Sequence, residues 1–143
     1  MDIVIENLKE YDLEQFKSLD ELCFKVVDDL EMIKNNYKKN ISNPNIIMIC
    51  AKEQNRLIGY AQCDIVYSLI REPIGYLWGL CVHPDYREKG IGTKLLAVAE
   101  EKAKEKGCKA IHFTSDPKRI EAHSLYEKSG YSYKETHYYK KEV

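Results

Sequence analysis

The 143 residues predict an α/β fold, a mixed sheet with helices on both faces. Three observations carry that expectation. Strand-like and helix-like patterns alternate along the chain. The stretch from Ile74 to Thr114 reads strand, glycine-containing loop, helix, strand, a βαβ crossover expected to be right-handed. No low-complexity linker or internal repeat divides the sequence, so a single domain over residues 1–143 is expected. A chain of this length buries about 68–70% of its unfolded surface, enough for a core without disulfide or metal staples.

The elements follow in order. Ile3-Val4-Ile5 opens as a short strand. Asp12 with Gln15 has the spacing of a capping box, and Leu13, Phe16, Leu19, Cys23 and Val26 then recur at helical intervals. Asp28 with Glu31 repeats that signal before Leu30, Ile33, Tyr37 and Ile41. The β-rich runs Ile46–Ala51 and Leu57–Tyr67 flank the polar turn Lys52–Arg56 and read as a hairpin. Pro73 precedes a third run, Ile74–Val82, which ends at His83-Pro84.

From Gly90 the pattern is helical, with Ile91, Leu95, Val98, Ala99 and Ala103 on one face and Gly107 as the stop. Ala110–Thr114 reads as a strand, Glu121–Ser129 as a short helix stopped at Gly130, and Tyr131–Tyr139 as one or two closing strands. The order is β-α-α-β-β-β-α-β-α-β(-β).

Composition excludes several functions. With 22 Lys+Arg against 23 Asp+Glu and a net charge of −1, the chain lacks the basic footprint of a nucleic-acid binder. The five cysteines are scattered, with no CxxC and no zinc-ligand spacing, so no metal site is expected and they read as small buried hydrophobes in a reducing compartment. No basic N-terminus leads into an apolar stretch, and no apolar run reaches 18 residues. Neither export nor a membrane partner is therefore expected, and the cytoplasm is.

The strand ending at Val82 runs through Arg87-Glu88-Lys89-Gly90-Ile91-Gly92 into a helix. Free backbone N–H groups at a positive helix end make an anion site. Glycine at 90 and 92 allows positive φ and close approach of backbone to phosphate oxygens, while Arg87 and Lys89 add charge. Two glycines before a helix also occur at ordinary turns. A Rossmann dinucleotide site fits poorly, since Leu95 stands where GxGxxG needs its third glycine and no second mononucleotide half follows.

Val82-His83-Pro84-Asp85-Tyr86-Arg87-Glu88-Lys89-Gly90-Ile91-Gly92, followed by Leu95-Leu96, resembles motif A of the GNAT family of N-acetyltransferases. Ala122-His123-Ser124-Leu125-Tyr126-Glu127-Lys128-Ser129-Gly130-Tyr131 resembles that family's A-x-x-L-Y-x-x-x-G-F signature. The element order also matches, although the N-terminal third matches only in pattern. The resemblance implies an acetyl-CoA-dependent N-acetyltransferase in which an amine attacks the thioester directly. It implies cofactor binding by the backbone of Leu80, Cys81 and Val82 and by the loop Arg87, Glu88, Lys89, Gly90, Ile91, Gly92 and Thr93. Tyr126 matches the family's leaving-group tyrosine, although spacing alone makes it a core residue of a helix stripe.

An amine with a pKa near 10.4 is about 3.4 units above neutrality, so its deprotonation costs about 4.6 kcal/mol and calls for a base. The oxyanion needs hydrogen-bond donors and the thiolate a proton. Many family members carry an acid on strand four, but this chain has Trp78-Gly79 there. The candidate bases are Asp116 and His123, with His83 third; His123 and Tyr126 are three apart on one helix, and a solvated histidine is the plainer reading of His123. Arg119 stands where the family often has Asn and suits a CoA phosphate or plain solvent.

Acidic residues Asp28, Asp29 and Glu31 and tyrosines 131, 133, 138 and 139 fall in segments that shape the acceptor cleft in this family. Capping and a solvated face account for the acids equally well. The expected partner is a small-molecule amine, ahead of a protein or peptide amine and of a non-catalytic acyl-CoA-binding role. Edge strands near the C-terminus allow a homodimer.

Overall fold

A computed structural model describes all 143 residues, which form two compact units, residues 1–113 and 114–143. The first holds β1 (Ile3–Asn7), α1 (Leu13–Phe24), α2 (Leu30–Ile41), β2 (Ile46–Glu53), β3 (Arg56–Val66), β4 (Ile74–Val82), α3 (Ile91–Glu105) and β5 (Ile111–His112). The strands form one sheet in the order β1-β2-β3-β4-β5. The first four are antiparallel to their neighbours, and β5 is parallel to β4, so the sheet is mixed as expected.

Alternation along β3 assigns its two faces. Ala added at Gly59 would meet Leu95 of α3, and at Gly75 of β4 it would meet Ala103 of α3. Tyr60 points the other way, its ring 4.5 Å from that of Phe16 on α1. Leu13, Leu19, Tyr37, Met48, Cys50, Tyr60 and Cys81 share the core beneath α1 and α2. Helices therefore cover both faces of the sheet.

The hairpin is tighter than the sequence suggests. Lys52, Glu53 and Arg56 join the strands, leaving only Gln54 and Asn55 in the turn, with φ of 49° and 65°. That is the left-handed pair that matches strand twist in two-residue hairpins. Asp12 does not cap α1 in the expected way. Its carboxylate accepts the Lys9 N–H at 2.8 Å and meets Lys52 Nζ at 2.7 Å, while Lys52 also reaches Glu6 at 2.8 Å. Gln15 instead accepts the Leu57 N–H at 3.0 Å. The α2 cap is Asp29 rather than Asp28, accepting from the Glu31 and Met32 N–H groups.

Two strand expectations are corrected. β5 is two residues long rather than five, because it pairs only with Gly75 and Tyr76 and β4 bulges just beyond them. In the second unit, α4 (Ile120–Lys128) is the last regular element, and Tyr131–Tyr139 forms no strand. Residues 132–139 are all exposed. β propensity expresses fit to a pleated, half-buried surface, and a tyrosine-rich stretch without a ladder has no such surface to join.

Candidate functional site

The decisive feature of the sheet is the bulge in β4. Gln62 stands opposite Gly79 and Cys63 opposite Leu77, so Trp78 is the extra residue. A bulge bends its strand and raises its twist, which carries the rest of β4 away from β5. From Gly79 to Val82 the strand has β3 on one edge and no strand on the other. The His83 N–H donates to Ile58 O at 2.8 Å, and antiparallel alternation then directs the backbone groups of Cys81 and Gly79 toward β3. Those of Leu80 and Val82 face the open edge. Of the three residues expected to offer their backbone, Leu80 and Val82 turn it to the open edge and Cys81 turns it to β3.

β4 runs into a 3-10 turn, Pro84–Tyr86, capped by His83 Nδ1, which accepts the Asp85 N–H at 3.1 Å. His83 thus serves the turn. The following loop is exposed from Arg87 to Gly90, with Glu88 at φ 61° and Gly90 at φ 78°. Gly92 differs from expectation: it lies inside α3, is buried and has no positive φ. Arg87 donates from Nε to Val82 O at 3.1 Å, which ties the loop to the strand. Lys89 lies over the Tyr86 ring, 5.4 Å from its centroid.

Gly90 supplies no side-chain cap to α3, and the first turn, which includes exposed Thr93, has no acidic residue. At this end the Lys94 N–H donates to Gly90 O at 3.1 Å. The N–H groups before it have no intrahelical acceptor. An uncapped, electropositive helix end with no Cβ at its entrance is a place for phosphate.

The second unit holds the other predicted residues. Tyr126 is buried at 8% exposure, and its ring lies edge-on to Tyr131 at 6.4 Å. His123 is half-buried one turn earlier on α4. Asp116 is exposed, and its Oδ1 accepts the Lys118 N–H at 2.9 Å, as in an Asx turn. Arg119 is the exposed N-cap residue of α4.

Beneath α1 the face of β3 carries a polar chain the sequence reading overlooked. Tyr60 donates from its hydroxyl to Gln62 Oε1 at 2.8 Å, and Gln62 Nε2 donates to Asp64 Oδ1 at 3.0 Å. Residues 60, 62 and 64 share a face by strand period, so the signal was present as polar residues at every second position. Burial raises the Tyr60 hydroxyl well above its usual range, with nearby Cys81, Asp64 and Asp20 adding to it. Burial also pushes the Cys50 and Cys63 thiols up to about 12, so neither is a thiolate nucleophile.

The sequence profile described as the acetyltransferase (GNAT) family matches residues 12–131. The chain belongs to the GNAT family. Its reaction class is N-acetyl transfer. This GNAT chain is 29% identical over 111 residues to an aminoalkylphosphonate N-acetyltransferase of Salmonella typhimurium, covering 77% of this chain and 71% of that one. It is 31% identical over 104 residues to an aminoglycoside N(6′)-acetyltransferase type 1 of Acinetobacter genomosp. 13, covering 67% and 69%. The aminoglycoside N-acetyltransferase AAC(6′)-Iy, solved with a CoA-based bisubstrate analogue, superposes with a TM-score of 0.87 at 18% identity over all of both chains. That likeness is one of fold. No helix of this GNAT chain is long and apolar enough to cross a membrane.

Proposed function

We propose that this chain transfers the acetyl group of acetyl-CoA to a primary amine of a small molecule by direct attack of the amine on the thioester. The observation that carries the reading is the open edge of β4 leading into the uncapped N-terminus of α3. Leu80 and Val82 would pair with the pantetheine amides as a neighbouring strand would. The N–H groups from Gly90 to Thr93 would hold the pyrophosphate, with Lys89 and Arg119 adding charge. A backbone N–H on that edge would polarise the thioester carbonyl, and Tyr126 would protonate the departing thiolate.

A small acceptor is supported by the named activities of the two relatives, whose substrates are small amines. Both units then serve one acetyltransferase domain, in line with a family match that crosses residue 113. Five cysteines that form no disulfide fit a reducing, cytoplasmic setting.

The test is acetyl-CoA consumption, with mass analysis of the product, against kanamycin, 2-aminoethylphosphonate, spermidine and a set of unacetylated peptides. Turnover confined to one or more of the small amines is the expected result. Turnover confined to peptides would overturn the small-molecule assignment, and acetyl-CoA binding without transfer to any acceptor would overturn the catalytic one.

A further inference from the structure

Strand four has no acid to receive the proton of an acceptor ammonium, yet the face of the sheet beneath α1 is rich in carboxyl groups. Phe16, Asp20 and Cys23 are spaced i, i+4, i+7 on α1 and so share one face of the helix. Its two ends are fixed: the Phe16 ring packs at a tilt against that of Tyr60 of β3, 4.5 Å between centroids, and Cys23 Sγ donates to Val82 O of β4 at 3.5 Å. Asp20 therefore faces β3 and β4 between Tyr60 and Val82. That stretch of β4 is Gly79–Val82, the part beyond the bulge. Gly79 contributes no side chain, and even an added Cβ would meet only the Tyr60 ring, at 3.8 Å.

The chain then folds back onto Asp20. α1 ends at Lys25 with φ 54°, and the Asp28 N–H donates to Glu21 Oε2 at 2.8 Å. This brings the Asp28 carboxyl into contact with that of Asp20. Asp28 Oδ2 is sealed from solvent, and no N–H or O–H of the chain donates to it. That oxygen is therefore a ready acceptor for a proton that Asp20 takes up.

We propose that Asp20, in contact with Asp28, is the carboxylate that takes the proton from the acceptor ammonium, in place of the acid missing from strand four. The assignment rests on the amine-acetylation reading above. In the step, the ammonium gives one proton to Asp20 and its nitrogen lone pair attacks the thioester carbon. The C–N bond forms, the C–S bond breaks, the second nitrogen proton ends on the CoA sulfur, and Asp20 releases its proton to solvent.

The surroundings favour this role. Asp28, Cys23 and Glu21, from α1 and the following turn, act on Asp20, and Asp64 of β3 and Cys81 of β4 share the surroundings of the Tyr60 hydroxyl with it. None is a cation, and Lys17 is paired with Glu21 at 3.0 Å. Such a cluster attracts an ammonium. Burial, then the hydrogen bond and charge of Asp28, raise Asp20 from 3.8 to about 7, which is where a base works at neutral pH.

The experiment is the pH profile of kcat/KM for whichever of kanamycin, 2-aminoethylphosphonate or spermidine the wild-type chain acetylates. Asp20→Asn is expected to lower the rate about 100-fold at neutral pH and to abolish the acidic limb, with acetyl-CoA affinity unchanged and Asp20→Glu restoring part of the rate. Asp28→Asn keeps the shape but removes the neighbouring charge, and is expected to move the limb to lower pH. The proposal is overturned if Asp20→Asn keeps the limb and a rate within about threefold, if the limb does not move in Asp28→Asn, or if Asp116→Asn or His123→Gln removes it instead. If the wild-type chain acetylates no amine, the amine reading fails and this assignment with it.

Discussion

Gly90→Ala separates the conformational role of the loop from its role toward phosphate. Gly90 has φ 78°, and a Cβ built there meets nothing within 4 Å. No packing contribution enters, so the cost is backbone strain alone. A left-handed conformation costs a Cβ-bearing residue about 1–2 kcal/mol, and the stiffer unfolded chain returns about 0.4–1 kcal/mol of it. The net loss is about 1 kcal/mol, or about 3–4 °C in Tm for a chain of this size.

If pyrophosphate oxygens sit on the N–H groups that follow, the new methyl group stands at their approach. Acetyl-CoA should then bind about tenfold more weakly, equivalent to 1.4 kcal/mol. Gly90→Asn tolerates the left-handed region better but carries the same Cβ, so it should keep most of the stability and still lose the affinity. Thermal unfolding and calorimetric titration with acetyl-CoA read the two quantities separately. If both variants bind acetyl-CoA like the wild type, the loop does not hold the pyrophosphate.

Other outcomes follow from the same structure. Lys52→Met leaves the Asp12 carboxylate, 1% exposed, without its partner and should cost about 3–5 kcal/mol in chemical denaturation. The ion pairs concerned are strong enough to raise the Lys52 ammonium despite the opposing effect of burial. Gly75→Ala brings a Cβ to 2.9 Å from Cys63 Sγ and 3.2 Å from Ile111, so it should cost about 1–3 kcal/mol, and a smaller residue at 63 should recover part of that. Tyr126→Phe should lower kcat about tenfold with little change in acetyl-CoA affinity, and unchanged turnover would remove the hydroxyl from the mechanism.

Asp20 also makes a stability prediction with a definite sign. Its folded pKa is raised, so the folded state holds the proton more tightly, and the stability this gives is present below 3.8 and lost as pH rises toward about 7. Asp20→Asn should flatten the fall in stability across that window, measured by urea denaturation at several pH values.

The loop from Arg87 to Gly92 was legible in the sequence because its geometry is local. Gly90 needs a left-handed backbone, α3 needs an entrance without a side-chain cap, and both follow from neighbouring residues. Gly92 was half-read: its presence in the motif was plain, but its burial inside α3 depends on what packs there. The helical stripe Leu13, Phe16, Leu19 and Cys23 was likewise visible, whereas nothing in that pattern marks Asp20 on the same helix. Nothing in the sequence says that Asp28, eight residues later, folds back against it.

Asp12 makes the same point: its spacing to Gln15 suggested a cap, but a lysine forty residues away took the carboxylate. Capping competes with any partner that tertiary structure brings near. The closing strands failed for the converse reason, since a strand exists only with a ladder and tyrosines cannot supply one. By itself the sequence determined the element order as far as α4, the loop entering α3 and the family, because periodicity and short-range backbone geometry are written in adjacent residues. Only the tertiary structure decided the bulge at Trp78, the orientation of Leu80 and Val82 toward an open edge, and the Asp20–Asp28 contact, because each depends on which distant segments share a surface.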